Sequence, residues 1–302
     1  MNNLSYQIKH KLGSFAFIFP AVAIFSFFYI VPFIDIFRLA LYSWDGISIT
    51  QQFVGFSNFQ ELFKDKIWWS SIGHAGYITL IALTLQNILA FALALACDRE
   101  IKMKRFYRVV FFLPPVLSEI VVGLIWQWIL YSGMQGGEHI GLLNYFLDKV
   151  GLMHLIHSWL SDPKTALSCI AVVHCWKGFG WGFIMLLAGL QTIDKQLYEA
   201  AEVDGANAWE KFRHVTIPMM VPVLLVVAIL TVLGSMQVFV LIMSMVGNGL
   251  EYYTEVPITR IVAAMAGTNR YGYACAQGLT FAGILISISV IFKFIFAKMK
   301  QA

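Results

Sequence analysis

Residues 197–206 interrupt an otherwise apolar sequence and read Leu-Tyr-Glu-Ala-Ala-Glu-Val-Asp-Gly-Ala. Alanine is the strongest helix former, and glycine most readily adopts the left-handed conformation that ends a helix. Asp194 precedes the segment at a position where its side chain can cap the first helical turn. The pattern therefore predicts a short helix, starting after Asp194 and ending at Gly205, that presents two alanines flanked by carboxylates.

The composition around this segment indicates an integral membrane protein. Of 302 residues, 59% are hydrophobic and 13% are charged, whereas about 25% are charged in soluble domains. The net charge of +4 is too small to indicate a nucleic-acid partner. The four cysteines form no Cys-x-x-Cys pair, and we interpret them as small apolar residues.

Six apolar runs are each long enough to cross a bilayer, which takes about 20 helical residues. The spans are predicted at residues 15–36, 71–97, 107–131, 165–190, 218–246 and 273–297. The first run is too long for a signal peptide, so we expect it to remain uncleaved. A second short helix is predicted at residues 206–212, with Ile217-Pro218 breaking it and starting the fifth span. The predicted fold class is thus an all-α membrane protein with six transmembrane helices.

The distribution of lysine and arginine predicts the orientation. With the N-terminus inside, the inner segments hold 13 of these residues and the outer segments hold 7; the remaining one, Lys177, falls within the fourth span. Basic residues concentrate in cytoplasmic loops. This bias predicts that both termini and residues 191–217 are cytoplasmic.

A resemblance to a known family rests on the same segment. Residues 197–206, followed by Trp209 and by Thr-Ile-Pro at 216–218, resemble the Glu-Ala-Ala loop of bacterial ABC-importer permeases, and more narrowly of their carbohydrate-uptake branch. Trp-Asp-Gly at 44–46 and Trp-Leu-Ser-Asp-Pro at 159–163 agree with that branch. At residues 247–250 the chain lacks the Gly-Gly-Pro turn that such permeases often carry, so the resemblance does not define the geometry of this outer loop.

The resemblance implies a type I ABC importer permease fold, with a cytoplasmic coupling helix and a location in the bacterial cytoplasmic membrane. It implies a second homologous permease, two ATPase subunits that bind ATP and Mg, an extracytoplasmic solute-binding protein and a sugar substrate, besides membrane lipid. The chain itself is expected to bind no cofactor. The loop 194–213 would couple it to the ATPases, through Glu199, Ala200, Ala201, Asp204 and Gly205.

Three regions are expected along the chain. Residues 1–70 would hold the N-terminal segment, the first span and an outer loop. Residues 71–297 would form a five-helix permease core that contains the coupling loop 191–217, and residues 298–302 a cytoplasmic tail.

Polar and aromatic residues inside the spans are candidates for a sugar pathway, because polar groups in a membrane are costly and usually functional. The candidates are Glu119, Gln127, Trp176, Lys177, Trp181 and Gln237. A structural role is the alternative: tryptophan commonly marks the membrane interface, and Glu119 and Lys177 could form a structural ion pair.

Other function classes find little support in the sequence. It contains no Gly-x-x-x-x-Gly-Lys-Ser/Thr phosphate loop and no readable catalytic constellation, so an enzyme is not predicted. The pair His154 and His157 lacks a carboxylate pattern for a metal site. An ion-coupled secondary carrier remains the alternative, but such carriers commonly show internal repeats, and none is apparent here.

Overall fold

The computed structural model describes residue 15 and residues 17–99, 102–247 and 252–299, and these are mainly helical. The helices are α1 (Phe17–Leu39), α2 (Ser57–Lys64), α3 (Lys66–Asp98), α4 (Lys104–Val116), α5 (Glu119–Ile129), α6 (Leu142–Lys149), α7 (Ala166–Leu190), α8 (Lys195–Val203), α9 (Ala208–Met236), α10 (Val240–Met245), α11 (Pro257–Gly267) and α12 (Tyr271–Met299). Two short antiparallel hairpins pair β1 (Tyr42–Ser43) with β2 (Gln52–Phe53) and β3 (Met134–Gln135) with β4 (Glu138–His139).

Five of these helices, α1, α3, α7, α9 and α12, are long and apolar enough to cross a membrane. The bent pair α4 and α5 supplies a sixth span when the two helices are counted together. The predicted all-α class with six spans is therefore confirmed over the described residues.

The span predicted at residues 107–131 is formed by two helices, α4 and α5, counted together. The chain bends by 93° between α4 and α5, because Leu117 and Ser118 adopt extended backbone angles. Pro114 and Pro115 lie in the last turn of α4 and lack the N–H groups that would bond to the preceding turn. This loss weakens the helix at the point where it ends.

The predicted limits of the fifth span, residues 218–246, are wrong. Helix α9 already begins at Ala208 and continues through Pro218 to Met236. A wider π-helical turn at Phe212–Thr216 precedes the proline, and such turns accommodate a missing backbone donor. The remaining part of the predicted span forms the separate helix α10. In the turn at 247–250, residues 248–250 lie outside the described part of the chain.

The chain divides by its contacts into two compact units. The larger unit comprises residues 66–260 and 283–302. Helix α7 is its most buried span, with 56% of the residues in its apolar stretch buried inside the protein. Helices α3, α4 and α9 pack on it. At Gly180 a Cβ atom would lie 2.4 Å from the backbone oxygen of Phe111, so α4 and α7 approach too closely for any larger residue.

The smaller unit comprises residues 1–65 and 261–282. Arg270 forms two hydrogen bonds to the carboxylate of Glu61, and Tyr273 donates one of 2.7 Å to Asp65. In the Trp-Asp-Gly segment at 44–46, Gly46 adopts the left-handed φ of +83°. These bonds connect the segment after α1 to the start of α12. The three regions predicted from the sequence stay a prediction.

Candidate coupling surface and membrane cavity

The polar helix α8 forms as predicted. The side chain of Asp194 accepts a 3.0 Å hydrogen bond from the backbone N–H of Gln196, which satisfies one of the free donors at the helix start. At the other end, Gly205 has φ +83°, and the N–H of Ala206 bonds to the carbonyl of Ala201 at 2.9 Å. This is the left-handed helix end that glycine favours.

One face of α8 is anchored to the membrane helices. The hydroxyl of Tyr198 lies 3.0 Å from that of the buried Thr216 in α9. The Tyr198 ring packs against an apolar cluster that α7 and α9 share, which includes Leu186, Leu190 and Met220. Because these side chains are in direct contact, a displacement of α8 would displace α7 and α9 with it.

The opposite face of α8 is exposed and carries large apolar side chains next to acidic ones. Val203 is 88% exposed, and Trp209, the second residue of α9, is 65% exposed. Glu202 forms an ion pair with Lys211, whereas Glu199 makes no ion pair or hydrogen bond with any residue that the structure describes. Among these side chains the exposed tryptophan is typical of a protein–protein contact. We call Glu199, Val203 and Trp209 the coupling surface.

Of the five predicted coupling residues, Glu199, Ala200, Asp204 and Gly205 are exposed and Ala201 is half-buried. The sequence prediction did not include Val203 and Trp209, which are also exposed. It also missed the capping box that starts α9, in which Asn207 accepts bonds from the backbone of Trp209 and Glu210 while Glu210 bonds back to Asn207. The spacing Asn-x-x-Glu is the signal that could have found it.

A cavity of about 300 Å³ lies among α3, α5, α7 and α9. Three of the predicted pathway residues, Glu119, Lys177 and Trp181, line it. The Lys177 ammonium nitrogen lies 3.8 Å from a Glu119 carboxylate oxygen, so the two form the ion pair that the sequence raised as an alternative. The pair is also part of the cavity wall, and its role in a substrate pathway stays a prediction.

The other predicted pathway residues lie elsewhere. Trp176 packs edge-on against Trp126, with ring centroids 5.7 Å apart. Gln127 lines a second cavity of about 230 Å³. Gln237 is exposed at the end of α9 and lines neither cavity.

Gln86 is a polar residue in the wall of the first cavity that the sequence prediction did not select. Its side-chain oxygen is buried and has no hydrogen-bond partner among the described residues. A Cβ atom at Gly178 would lie 2.6 Å from this oxygen, so the glycine leaves room for it. A buried acceptor without a partner is rare, and the residue that carries it lines the cavity. A polar residue deep in the second span was the signal for it.

Comparison with known families agrees with this architecture. Residues 86–301 match the family described as binding-protein-dependent transport system inner membrane component. The match covers more than two thirds of the chain.

Individual relatives match over nearly their whole length. The probable ABC transporter permease protein YurN of Bacillus subtilis is 29% identical over 94% of this chain and 95% of its own. The trehalose/maltose transport system permease protein MalF of Thermococcus litoralis is 27% identical over 96% of both chains.

Among solved structures, a chain of a bacterial ABC transporter that imports the acidic polysaccharide alginate superposes with a TM-score of 0.81. The superposition covers 98% of this chain and 99% of the other at 23% identity. A second structure of a bacterial alginate transporter, in complex with a periplasmic protein that holds an alginate pentasaccharide, gives a TM-score of 0.83. These similarities show that the chain has the same fold.

Proposed function

The chain belongs to the family of binding-protein-dependent transport system inner membrane components, and from this premise we propose that it moves a saccharide across a bacterial cytoplasmic membrane, driven through α8. The observation that carries the proposal is the position of α8. It combines an exposed face with a free carboxylate and a second face anchored on α7 and α9.

The proposed driving partner is a pair of ATPase subunits, which bind ATP and Mg, and which contact the coupling surface from the cytoplasm. Both termini lie on that same side. A second homologous permease completes the pathway, and an extracytoplasmic solute-binding protein delivers the substrate. Since α8 packs on two spans, closure of the ATPase pair would displace those spans together.

A saccharide is supported by the relatives and by the first cavity. Relatives are named for trehalose and maltose, for lactose and for diacetylchitobiose. The cavity wall contains the aromatic side chain of Trp181 and the amide side chain of Gln86, residue types that suit a sugar ring and its hydroxyls.

We further propose that the saccharide is uncharged. The one lysine in the cavity wall, Lys177, is paired with Glu119, so the pair has no net charge. A uronate in this cavity would find no unpaired lysine or arginine among the described lining residues to balance its charge, and burying an unbalanced charge is costly.

Uptake into proteoliposomes tests the function. The chain is co-expressed with its companion subunits, purified as a complex and reconstituted with ATP inside, and a radiolabelled neutral oligosaccharide is added with the binding protein. We expect uptake that requires ATP and is indifferent to ion gradients. Uptake by the purified chain alone, driven by an ion gradient without ATP, would overturn the proposal.

A further inference from the structure

We infer that the outer face of α4 binds an anionic phospholipid, with Arg108 holding the headgroup phosphate and the groove beside it taking the start of an acyl chain. This inference uses neither the cavity nor the coupling surface.

The groove runs along one stripe of α4. It is lined by Val109, Phe112, Leu113 and Val116, and by Ile184 of α7, in a volume of about 330 Å³. These positions follow one another at helical spacing, so they form a continuous apolar track. From Arg108 to Val116 the track is about 12 Å long, at 1.5 Å per residue.

Positive charge is concentrated at the end of the track where α4 begins. Lys104, Arg105 and Arg108 lie in its first two turns, and its first turn has no acidic residue. A helix N-terminus carries a partial positive charge of its own, so cations placed there are unfavourable unless an anion joins them. The arrangement therefore favours a bound anion at the start of α4.

Arg108 provides an independent indication of the same anion. Its Nε atom is buried and has no hydrogen-bond partner among the described residues. The Nε atom of Arg260 is also buried without a partner, but Arg260 pairs with Glu255 through Nη1, whereas Arg108 forms no ion pair with a described residue. Arg108 also lines the apolar groove, so an anion that satisfies it would sit at the head of an apolar track.

A cation at the head of an apolar groove on a membrane-spanning helix matches the amphipathic shape of a phospholipid. Arginine is well suited to a phosphate because its fork of N–H groups fits the phosphate oxygens. The excess of cations favours an anionic headgroup over a zwitterionic one. An apolar helix of a companion subunit would fill the groove but would supply no anion to Arg108, and it is the competing occupant to be tested.

The experiment is native mass spectrometry of the full-length chain in complex with its companion subunits, during stepwise delipidation. The probes are phosphatidylglycerol and phosphatidylcholine with identical acyl chains. We expect one phosphatidylglycerol per chain to be retained longest. Arg108→Gln should weaken its retention at least about tenfold, the loss typical of a charge-assisted hydrogen bond. Ile184→Trp, which fills the groove without changing charge, should have the same effect.

Arg105→Gln is the matched control, because Arg105 is an exposed cation on the same helix that does not line the groove. Equal loss in the Arg105 and Arg108 variants would mean diffuse surface attraction and would overturn the site. So would equal retention of the two lipids. If a variant fails to assemble, a photo-crosslinker at position 113 decides: a lipid adduct supports the inference, and an adduct to a companion subunit contradicts it.

Discussion

Substitutions of Gly205 distinguish the effect of the backbone geometry at the end of α8 from the effect of contacts between α8 and a partner. Gly205 has φ +83°, and no heavy atom lies within 4 Å of the position that its Cβ would occupy. A substitution here therefore meets backbone strain but no steric clash within this chain. An L-residue in the left-handed region costs roughly 1–2 kcal/mol, which corresponds to roughly a 5- to 30-fold change in population.

Three variants of Gly205 distinguish backbone strain from steric clash. Gly205→Ala should lower the population of the correctly ended helix and raise the ATPase-subunit concentration needed for half-maximal uptake by up to about 5- to 30-fold. Gly205→Asn should remain close to the parent, because asparagine tolerates the left-handed conformation. Gly205→Leu carries the same strain as alanine, and we expect it to abolish uptake because its bulk adds a clash with the partner.

The assay is ATP-driven uptake in proteoliposomes titrated with purified ATPase subunits, after confirming equal amounts of each variant in the membrane. Equal half-maximal concentrations for the alanine and asparagine variants would refute the reasoning. They would show that the left-handed end of α8 does not matter for coupling.

Three further predictions concern charge. Glu199→Lys should leave the protein in the membrane but abolish ATP-driven uptake, because it reverses the free carboxylate of the coupling surface; uptake close to that of a Glu199→Gln control would contradict this. Glu119→Gln should leave Lys177 as an unpaired cation and raise the ratio of acidic to neutral oligosaccharide uptake, so an unchanged ratio would count against the neutral-substrate proposal. The Ser48 hydroxyl, together with backbone N–H donors, lowers the pKa of Asp45 to about 2. The ionised carboxylate therefore stabilises its loop at every pH above the ordinary pKa of about 3.9, and this stabilisation is lost as the pH falls through the lowered pKa. Amide exchange at residues 45–48, corrected for its intrinsic rate, should accelerate only near pH 2, and at a higher pH in Ser48→Ala; identical pH profiles would show that the hydroxyl is not the cause.

The local structure of α8 could be predicted because its signals are contained within the segment. An aspartate at the cap and a glycine at the end fix the limits of a short helix through backbone hydrogen bonds alone. The number of spans was equally accessible, since it depends on the length of apolar runs.

The interruptions within the spans could not be predicted in the same way. Two prolines at 114 and 115 precede a 93° bend, whereas Pro218 lies inside a continuous helix. The difference depends on the neighbouring turn, which widens before Pro218 and so accommodates the missing donor. Hydropathy does not report such a turn.

The cavity was only partly predictable because its lining comes from four helices that are distant in sequence. Lys177 and Glu119 could be chosen as charged residues inside spans, but their pairing depends on how α5 packs near α7. Gln127 and Gln237 satisfied the same criterion and lie outside this cavity. The exposure of Val203 and Trp209, on which their proposed contact with a partner rests, became visible only in the structure.

Site-specific photo-crosslinking tests the central claim, that energy enters this chain at α8, most directly. A photo-reactive amino acid replaces Val203, which is 88% exposed on the coupling surface, or Ile49, which is fully exposed in the loop predicted on the opposite side of the membrane. In complexes that actively transport, we expect position 203 to crosslink to an ATPase subunit and position 49 not to do so. A transporting complex in which position 203 yields no ATPase adduct, or in which both positions yield it equally, would contradict the account.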